Sequence, residues 1–169
     1  MSDLHSFLVE MSYASLKSKV DQFFQSPYIV VIDVSGSDPS AAANINFEKL
    51  TKEGFHVIPV NPRLKTFHVH TCYPSVEQLP HPVGAALIFT SPKVTEEVVS
   101  QCIRVGVANI WIHQGVGQGS KNKTATQLMT DHPEVNFIDG ACPMMFVNHA
   151  DWIHKGVKTV MKWTGSLPA

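Results

Sequence analysis

The sequence predicts a three-layer α/β domain of the Rossmann-like class, with about five parallel strands between two layers of helices. Short, near-continuous apolar runs alternate along the chain with segments of helical spacing, a pattern typical of parallel strands buried on both faces. Turn residues bound each run, and 169 residues are enough for one such domain. We therefore expect helices on both faces of the sheet and right-handed crossovers between the strands.

The strands are predicted from the apolar runs, and the helices from the segments between them. The runs cover residues 28–34, 55–60, 83–89, 108–112 and 135–138. Helices are predicted over residues 41–52, 93–104 and 121–130. Between the second and third strands, residues 63–82 form a looser segment in which we expect one helical turn near residues 75–79 and no regular strand.

Two further helices flank this core. Apolar residues at helical spacing predict an N-terminal helix over about residues 4–25 and a C-terminal helix over about residues 147–163. Since the chain contains no repeat or linker, residues 1–169 are expected to form a single domain. The C-terminal segment is richer in aromatic residues and methionine than one sheet face needs, so the terminal helices are the expected interface of a homodimer.

Composition excludes several classes of function. The formal charge is −1, from 13 Lys and Arg against 14 Asp and Glu, which gives no electrostatic footprint for nucleic acid. No apolar run reaches the roughly 18 residues of a membrane span, and the first residues lack the pattern of a signal peptide. Three separated cysteines favour a reducing compartment. We expect a cytoplasmic protein that binds neither nucleic acid nor membranes.

The segments that follow the strands are the informative ones, because ligands of open parallel sheets bind at the carboxyl ends of the strands. They are Val30-Val-Ile-Asp-Val-Ser35 with Asp38-Pro39-Ser40, Gly54-Phe-His-Val-Ile-Pro-Val-Asn-Pro62, Cys72-Tyr-Pro-Ser75 with Gln78-Leu-Pro80, Ile110-Trp-Ile-His-Gln-Gly115 and Asp139-Gly-Ala-Cys-Pro143. In this order they resemble the small single-domain CoA-binding proteins over residues 27–145. That family is similar to the CoA-binding domain of the succinyl-CoA synthetase α subunit and of ADP-forming acyl-CoA synthetases.

The resemblance implies that the chain binds CoA or an acyl-CoA through its ADP portion and has no chemistry of its own. Such a protein would act as a carrier, a sensor or a partner subunit. By position, the loop after the first strand would lie against the phosphates, Asn61 and Pro62 beside the adenosine, and Gln114 at the mouth of the crevice. Arg63 is not implied by the resemblance; we add it as the nearest cation to an expected ribose 3′-phosphate. The remaining expected binding residues are Asp33, Val34, Ser35, Gly36 and Ser37 in that loop, and Thr90, Ser91 and Val94 across the crevice.

One residue departs from the family's pattern. The first strand ordinarily ends in glycine, which lets a diphosphate approach the backbone N–H groups, whereas this chain has Asp33 there. A carboxylate about 5 Å from a phosphate, at an effective dielectric near 20, costs about 3 kcal/mol, or about a hundredfold in affinity. Gly36 in the same loop can rebuild part of the turn.

Asp33 therefore supports a second hypothesis, in which the chain is a Rossmann-like scaffold that has lost its cofactor and serves as a protein-interaction module. An NAD(P)-dependent enzyme ranks third, because the chain lacks the Gly-x-Gly-x-x-Gly fingerprint. It also has Asn61-Pro62 where an acidic residue would follow the second strand.

Four other features admit a functional and a structural interpretation. His68, His70 and Cys72 alternate and suit zinc or copper if the segment is extended, but a solvated loop is the more common case, and no metal is predicted. Cys142 is either a reactive thiol or a small buried hydrophobe. His113 either acts as a general base or only caps the end of a strand, and no catalytic triad accompanies it. The Gly115-Val-Gly117-Gln-Gly119 segment is interpreted as a loop before a helix.

Overall fold

The computed structural model describes residues 2–114, 119–147 and 159–160, and it confirms the predicted Rossmann-like α/β fold. Its strands are β1 (Tyr28–Ile32), β2 (His56–Val60), β3 (Thr66–Phe67), β4 (His70–Thr71), β5 (Ala85–Ile88), β6 (Asn109–Ile112) and β7 (Asn136–Asp139). Five of them form a parallel sheet in the order β2-β1-β5-β6-β7. Four of them, β1, β2, β5 and β6, lie within the apolar runs that predicted them, and β7 extends one residue beyond its run.

Helices cover both faces of this sheet, as predicted. They are α1 (Ser2–Phe24), α2 (Ala42–Lys52), α3 (Pro92–Arg104) and α4 (Lys123–Asp131), with single 3₁₀ turns at Val76–Gln78 and Pro143–Met145. The first two pack on one face and the last two on the other. The C-terminal helix predicted over residues 147–163 lies almost wholly outside the described residues. The two described residues near its end, Thr159 and Val160, are helical. Within the described part of the chain, no helix combines the length and the apolar content that a membrane span requires.

The packing of the core on both faces of the sheet explains the uninterrupted apolar runs, as β1 shows. Ile29 and Val31 point to the face covered by α1 and α2, whereas Val30 and Ile32 point to the face covered by α3 and α4. Successive strand residues point to opposite faces, so a strand covered on both sides needs an apolar side chain at every position. All four of these side chains are buried.

The segment between β2 and β5 differs from the prediction in one respect. No regular strand was expected there, but β3 and β4 pair as a short antiparallel hairpin, with Thr66 opposite Thr71 and Phe67 opposite His70. Two-residue strands are too short to show an alternating pattern, so the sequence carried no sign of them. The expected helical turn is confirmed by the 3₁₀ turn at Val76–Gln78.

The strand order fixes where a ligand site can lie. The chain passes from β1 to β2 on one side and then returns to β5 on the other side of β1. The loops that leave β1 and β5 therefore diverge to opposite faces of the sheet and open a crevice at the carboxyl ends of these strands.

Candidate functional site

A cleft of about 880 Å³ occupies this crevice, and we call it the large lobe. Its described walls come from the loops that follow β1, β2, β5 and β6. A second, mainly apolar cavity of about 560 Å³ adjoins it between α3 and the 3₁₀ turn at Val76–Gln78, and we call it the small lobe. Both volumes are in the range of ordinary small-molecule sites, about 300–1,000 Å³. The residues that border both lobes are Asp33, Arg63, Thr90 and Ser91.

The loop after β1 is held in shape by a buried asparagine of α2. The Asn44 side chain accepts from the backbone N–H of Ser35 at 2.7 Å and donates to the carbonyls of Ser35 and Asp38 at 2.8 and 3.0 Å. The Ser35 hydroxyl oxygen in turn accepts from the N–H groups of Ser37 and Asp38. These bonds make a rigid turn whose residues 34–37 line the large lobe.

Two helix N-termini border the large lobe. Helix α2 begins at Ala42, directly after Ala41, which has no side chain able to cap the first turn. Helix α3 begins at Pro92, and the Ser91 side chain before it makes no capping hydrogen bond. Ala41, Ala42, Ser91 and Pro92 all line this lobe. Since the N-terminus of a helix carries a partial positive charge and unpaired N–H groups, the lobe is suited to an anionic group.

Asn61 links the loops after β1 and β2. Its buried side chain donates to the Val34 carbonyl at 2.7 Å and to Asp33 Oδ1 at 3.2 Å, and it accepts from the backbone N–H of Arg63 at 2.8 Å. The side chain that the resemblance places beside a ligand thus also sets the relative position of two walls of the large lobe.

Asp33, at the position where the resemblance implies a glycine, has an unusual backbone conformation and a partly buried charge. Its φ of 75° lies in the left-handed region, which glycine adopts without cost and aspartate adopts less readily. Its Oδ1 atom lies 3.8 Å from Nη2 of Arg63. Partial burial raises the pKa of the Asp33 carboxyl, and the nearby Arg63 charge opposes that rise. A partly desolvated carboxylate therefore borders both lobes.

The predicted binding residues come together around this crevice, with one exception. All of them except Gln114 line the large lobe, the small lobe or both. Gln114 lines neither lobe, and it stands next to residues 115–118, which are outside the described part of the chain. Its role remains a prediction.

Several lining residues were not predicted. The His113 imidazole is buried in the large lobe, with its ring centroid 4.5 Å from that of Phe89. Both residues directly follow a strand of the structure. The strand-end rule applied to the predicted runs selects His113, which follows residues 108–112, but not Phe89, because the predicted run 83–89 includes it. Of the others, Ile32, Val60, Pro74 and Ser75 lie in the segments that carry the family resemblance, although no ligand contact was predicted for them. The rest have no common sequence signal, because the fold brings them together from distant parts of the chain: Ala41, Ala42, Ala43, Leu64, Pro92, Gly119 and Ser120 in the large lobe, and Val76, Glu97, Val98 and Gln101 in the small lobe.

The alternating His68, His70 and Cys72 do not share one side of an extended segment. His68 has a φ of 49° at the hairpin turn, and its Nε2 lies 3.5 Å from Glu48 Oε1. Cys72 is buried, with Sγ 3.9 Å from the Asn61 carbonyl oxygen. Within the described ranges, no three side chains of metal-binding type lie together.

The other two sequence features lie apart from the lobes or largely outside the described chain. Cys142 is buried in the core on the α1 and α2 face and lines neither lobe. Of the glycine-rich segment, residues 115–118 fall outside the described residues. Gly119 lines the large lobe with a φ of 54°.

Comparison with known proteins gives a consistent family and fold. The family described as "CoA binding domain" matches residues 28–148. A hypothetical protein from Pyrococcus horikoshii OT3 is 26% identical, with a TM-score of 0.67 over 76% of this chain and 86% of its own. A conserved hypothetical protein from Pyrococcus furiosus is 25% identical, with a TM-score of 0.58 over 65% of this chain and 90% of its own.

An acetyl-coenzyme A synthetase from Candidatus Korarchaeum cryptofilum, in complex with phosphate and ADP, shares the fold at 23% identity and a TM-score of 0.57. That match covers 66% of this chain but 25% of the synthetase. The family match begins at Tyr28, the first residue of β1, so α1 lies before it, whereas the described walls of both lobes lie within it.

Proposed function

The chain belongs to the CoA-binding domain family, and from this premise we propose that it binds CoA or an acyl-CoA in the two lobes and catalyses no reaction itself. The observation that carries the proposal is that two adjoining cavities, one bordered by helix N-termini and one mainly apolar, lie where the loops after β1 and β5 diverge to opposite faces of the sheet. CoA likewise joins an anionic diphosphate to a planar aromatic base whose two faces can pack on apolar side chains. A carrier, sensor or partner subunit needs only to hold such a ligand.

The large lobe is the proposed site of the diphosphate. The loop hydrogen bonds use the N–H groups of Ser35, Ser37 and Asp38. Among the described residues they leave the amides of Val34 and Gly36 as donors for phosphate oxygens. Together with the start of α2, these amides form the kind of anion site that backbone N–H groups and helix N-termini provide.

The small lobe is the proposed site of the adenine. Its described walls include Pro62, Val76, Val94 and Val98, which offer an apolar surface to a planar base. Arg63 borders this lobe with a largely exposed guanidinium, where it can reach a ribose 3′-phosphate. The two lobes meet at Asp33 and Thr90, so a single ligand can extend through both.

A second function is favoured by one observation, the Asp33 carboxylate at the place where the family has glycine. If its charge excludes the diphosphate, the chain is a scaffold for protein interaction with an empty crevice. The two functions differ in whether any nucleotide stays with the protein. Mass spectrometry of the supernatant from denatured, gently purified protein detects CoA in the first case and no nucleotide in the second.

Thermal-shift measurements test the proposal directly. Wild-type protein and the Asp33→Gly variant are each heated with millimolar CoA, acetyl-CoA or buffer alone. We expect a rise in Tm with CoA that is larger for Asp33→Gly, because the variant lacks the repelling charge. If neither protein responds to CoA or acetyl-CoA, CoA binding is wrong.

The proposal also includes a cytoplasmic homodimer joined through the terminal helices. Leu8 and Met11 support it, since both are 56% exposed and lie one turn apart on α1. Light scattering coupled to size exclusion is expected to give twice the chain mass for the wild type. The Leu8→Glu/Met11→Glu double variant is expected to give the monomer mass. A monomeric wild type would refute the dimer and leave CoA binding unaffected.

A further inference from the structure

The charge on the walls of the two lobes is poorly matched to a diphosphate. Among the described lining residues, the carboxylates are Asp33 and Glu97, and Arg63 is the one Lys or Arg side chain. A ligand that extends from one lobe to the other passes Asp33, which borders both. If CoA binds as proposed above, its diphosphate therefore meets a protein carboxylate at the junction.

Arg63 does not remove this mismatch. Its side chain is 82% exposed, and its Nη2 atom is already 3.8 Å from Asp33 Oδ1. An exposed ion pair at this distance is strongly screened by water. One guanidinium therefore faces both the Asp33 carboxylate and the two negative charges of a diphosphate. The helix N-termini contribute partial charges only.

We propose that a divalent cation of the Mg²⁺ type bridges Asp33 and the diphosphate of the bound ligand, so that the wild-type protein takes the ligand as its metal complex. This inference rests on the proposed function. Mg²⁺ binds oxygen and typically takes one or two protein carboxylates together with substrate phosphates and several waters. A single carboxylate beside a phosphate site is therefore sufficient protein ligation.

The contacts of Asp33 leave room for such a ligand. Within the described residues its polar side-chain contacts, to Asn61 Nδ2 and to Arg63 Nη2, are both made by Oδ1, which leaves Oδ2 for a cation. Among the described residues, no group of three His, Cys, Asp or Glu side chains could hold a metal ion, so Asp33 has no such side-chain partners for one. The remaining ligands must come from the phosphates and water, which makes cation binding depend on the nucleotide.

Titration calorimetry with CoA tests the bridge. Full-length protein is freed of metal with EDTA and titrated with and without MgCl₂ at matched ionic strength. We expect Mg²⁺ to tighten CoA binding to the wild type by up to about a hundredfold, since the cation removes the repulsion by Asp33. The Asp33→Asn variant lacks the charge, so it is expected to bind metal-free CoA more tightly than the wild type and to show no Mg²⁺ effect.

Asp38→Asn is the matched control. Asp38 lies in the same loop, but its carboxylate bonds to Ser40 and lines neither lobe. This variant is expected to keep the full Mg²⁺ response. A second readout is the EPR signal of free Mn²⁺, which is expected to fall when wild-type protein and CoA are added together, and to fall less with Asp33→Asn.

The outcomes separate the bridge from the proposed function. If wild-type protein binds CoA equally well with and without Mg²⁺, the bridge is wrong and CoA binding stands. If Asp33→Asn keeps the wild-type Mg²⁺ response, Asp33 does not hold the cation and the bridge is also wrong. If no variant binds CoA under either condition, the proposed function and the bridge both fail.

Discussion

The side-chain amide of Asn61 donates to the carbonyl oxygen of Val34 at 2.7 Å, and this bond joins the loops after β1 and β2 beneath the large lobe. Asn61 is 3% exposed, and its side-chain oxygen accepts from the backbone N–H of Arg63 at 2.8 Å. One buried side chain thereby fixes the backbone on either side of the proposed diphosphate site.

The Asn61→Ala variant is expected to lose both stability and ligand affinity. Removing the amide leaves the buried Val34 carbonyl without this donor, which typically costs about 1–3 kcal/mol in the free energy of unfolding. The loop after β1 keeps its bonds to Asn44 but loses its link to the loop after β2, so we expect CoA affinity to fall. Urea unfolding measures the first effect, and titration calorimetry measures the second.

Asn109→Ala is the control for that experiment. Asn109 is also a buried asparagine, but it lies at the amino end of β6, where it donates to the Gly84 carbonyl and the Ser26 hydroxyl. We expect a comparable loss of stability with unchanged CoA affinity. If both variants weaken CoA binding equally, the effect of Asn61 is general destabilisation and not support of the site.

Asp33 and Asp38 are expected to affect stability with opposite dependence on pH. Partial burial raises the pKa of the Asp33 carboxyl above 3.8, so ionisation of Asp33 lowers the free energy of unfolding. This loss of stability is absent below pH 3.8 and is complete once the pH exceeds the raised pKa. Hydrogen bonds from Ser40 lower the pKa of Asp38, so its carboxylate stabilises the fold above pH 3.8 and that stability is lost as pH falls through the lowered pKa.

Urea unfolding of the two Asp→Asn variants between about pH 3 and 7 measures these effects. Relative to the wild type, Asp33→Asn is expected to gain stability as pH rises, and Asp38→Asn is expected to lose it. Parallel curves for the two variants would contradict the assignment of opposite shifts.

Helix α1 precedes the family match, yet its packing predicts that the fold requires it. Phe23 is fully buried and contacts the Trp111 indole edge to face, with ring centroids 5.3 Å apart. Phe23→Ala is expected to lower the free energy of unfolding by about 3–5 kcal/mol. The exposed Gln22→Ala serves as the control and is expected to stay within about 0.5 kcal/mol. Denaturant titration followed by tryptophan fluorescence measures both, and a small effect of Phe23→Ala would show that α1 is dispensable.

Two buried thiols are expected to resist alkylation in the folded protein. Burial raises the pKa of Cys102 to about 12, so almost no thiolate forms there at about pH 8. Burial also raises the pKa of Cys72, which lowers the fraction of that thiol present as thiolate. Mass spectrometry after iodoacetamide treatment is expected to show these two residues modified in urea and unmodified without it. Rapid modification of Cys102 in native protein would contradict its burial. The same peptide map reports whether Cys142 is reactive.

The sequence predicted the layers of the fold and most of the crevice because both follow from local patterns. Uninterrupted apolar runs such as that of β1 indicate buried parallel strands, and the residues directly after each strand, such as Thr90, lie at one edge of the sheet. The positive φ of Asp33 agrees with the glycine expected at that position.

Other features depend on contacts that no local pattern encodes. The pairing of Arg63 with Asp33 requires β2 to lie beside β1, and the small lobe requires a 3₁₀ turn to pack near α3. The β3–β4 hairpin has strands too short to leave a period in the sequence. Residues such as Leu64 and Ala43 join the large lobe only through the order of the strands.

Because the Asp33 carboxylate borders both cavities, we expect a group bound in one cavity to be thermodynamically linked to a group bound in the other. A group that neutralises or displaces Asp33 from one side alters the potential felt on the other, and any such coupling acts equally in both directions. Adenosine and a short phosphorylated fragment of CoA, offered separately, should therefore change each other's affinity by the same factor. The cooperativity between the two halves of a ligand would then be set by one side chain.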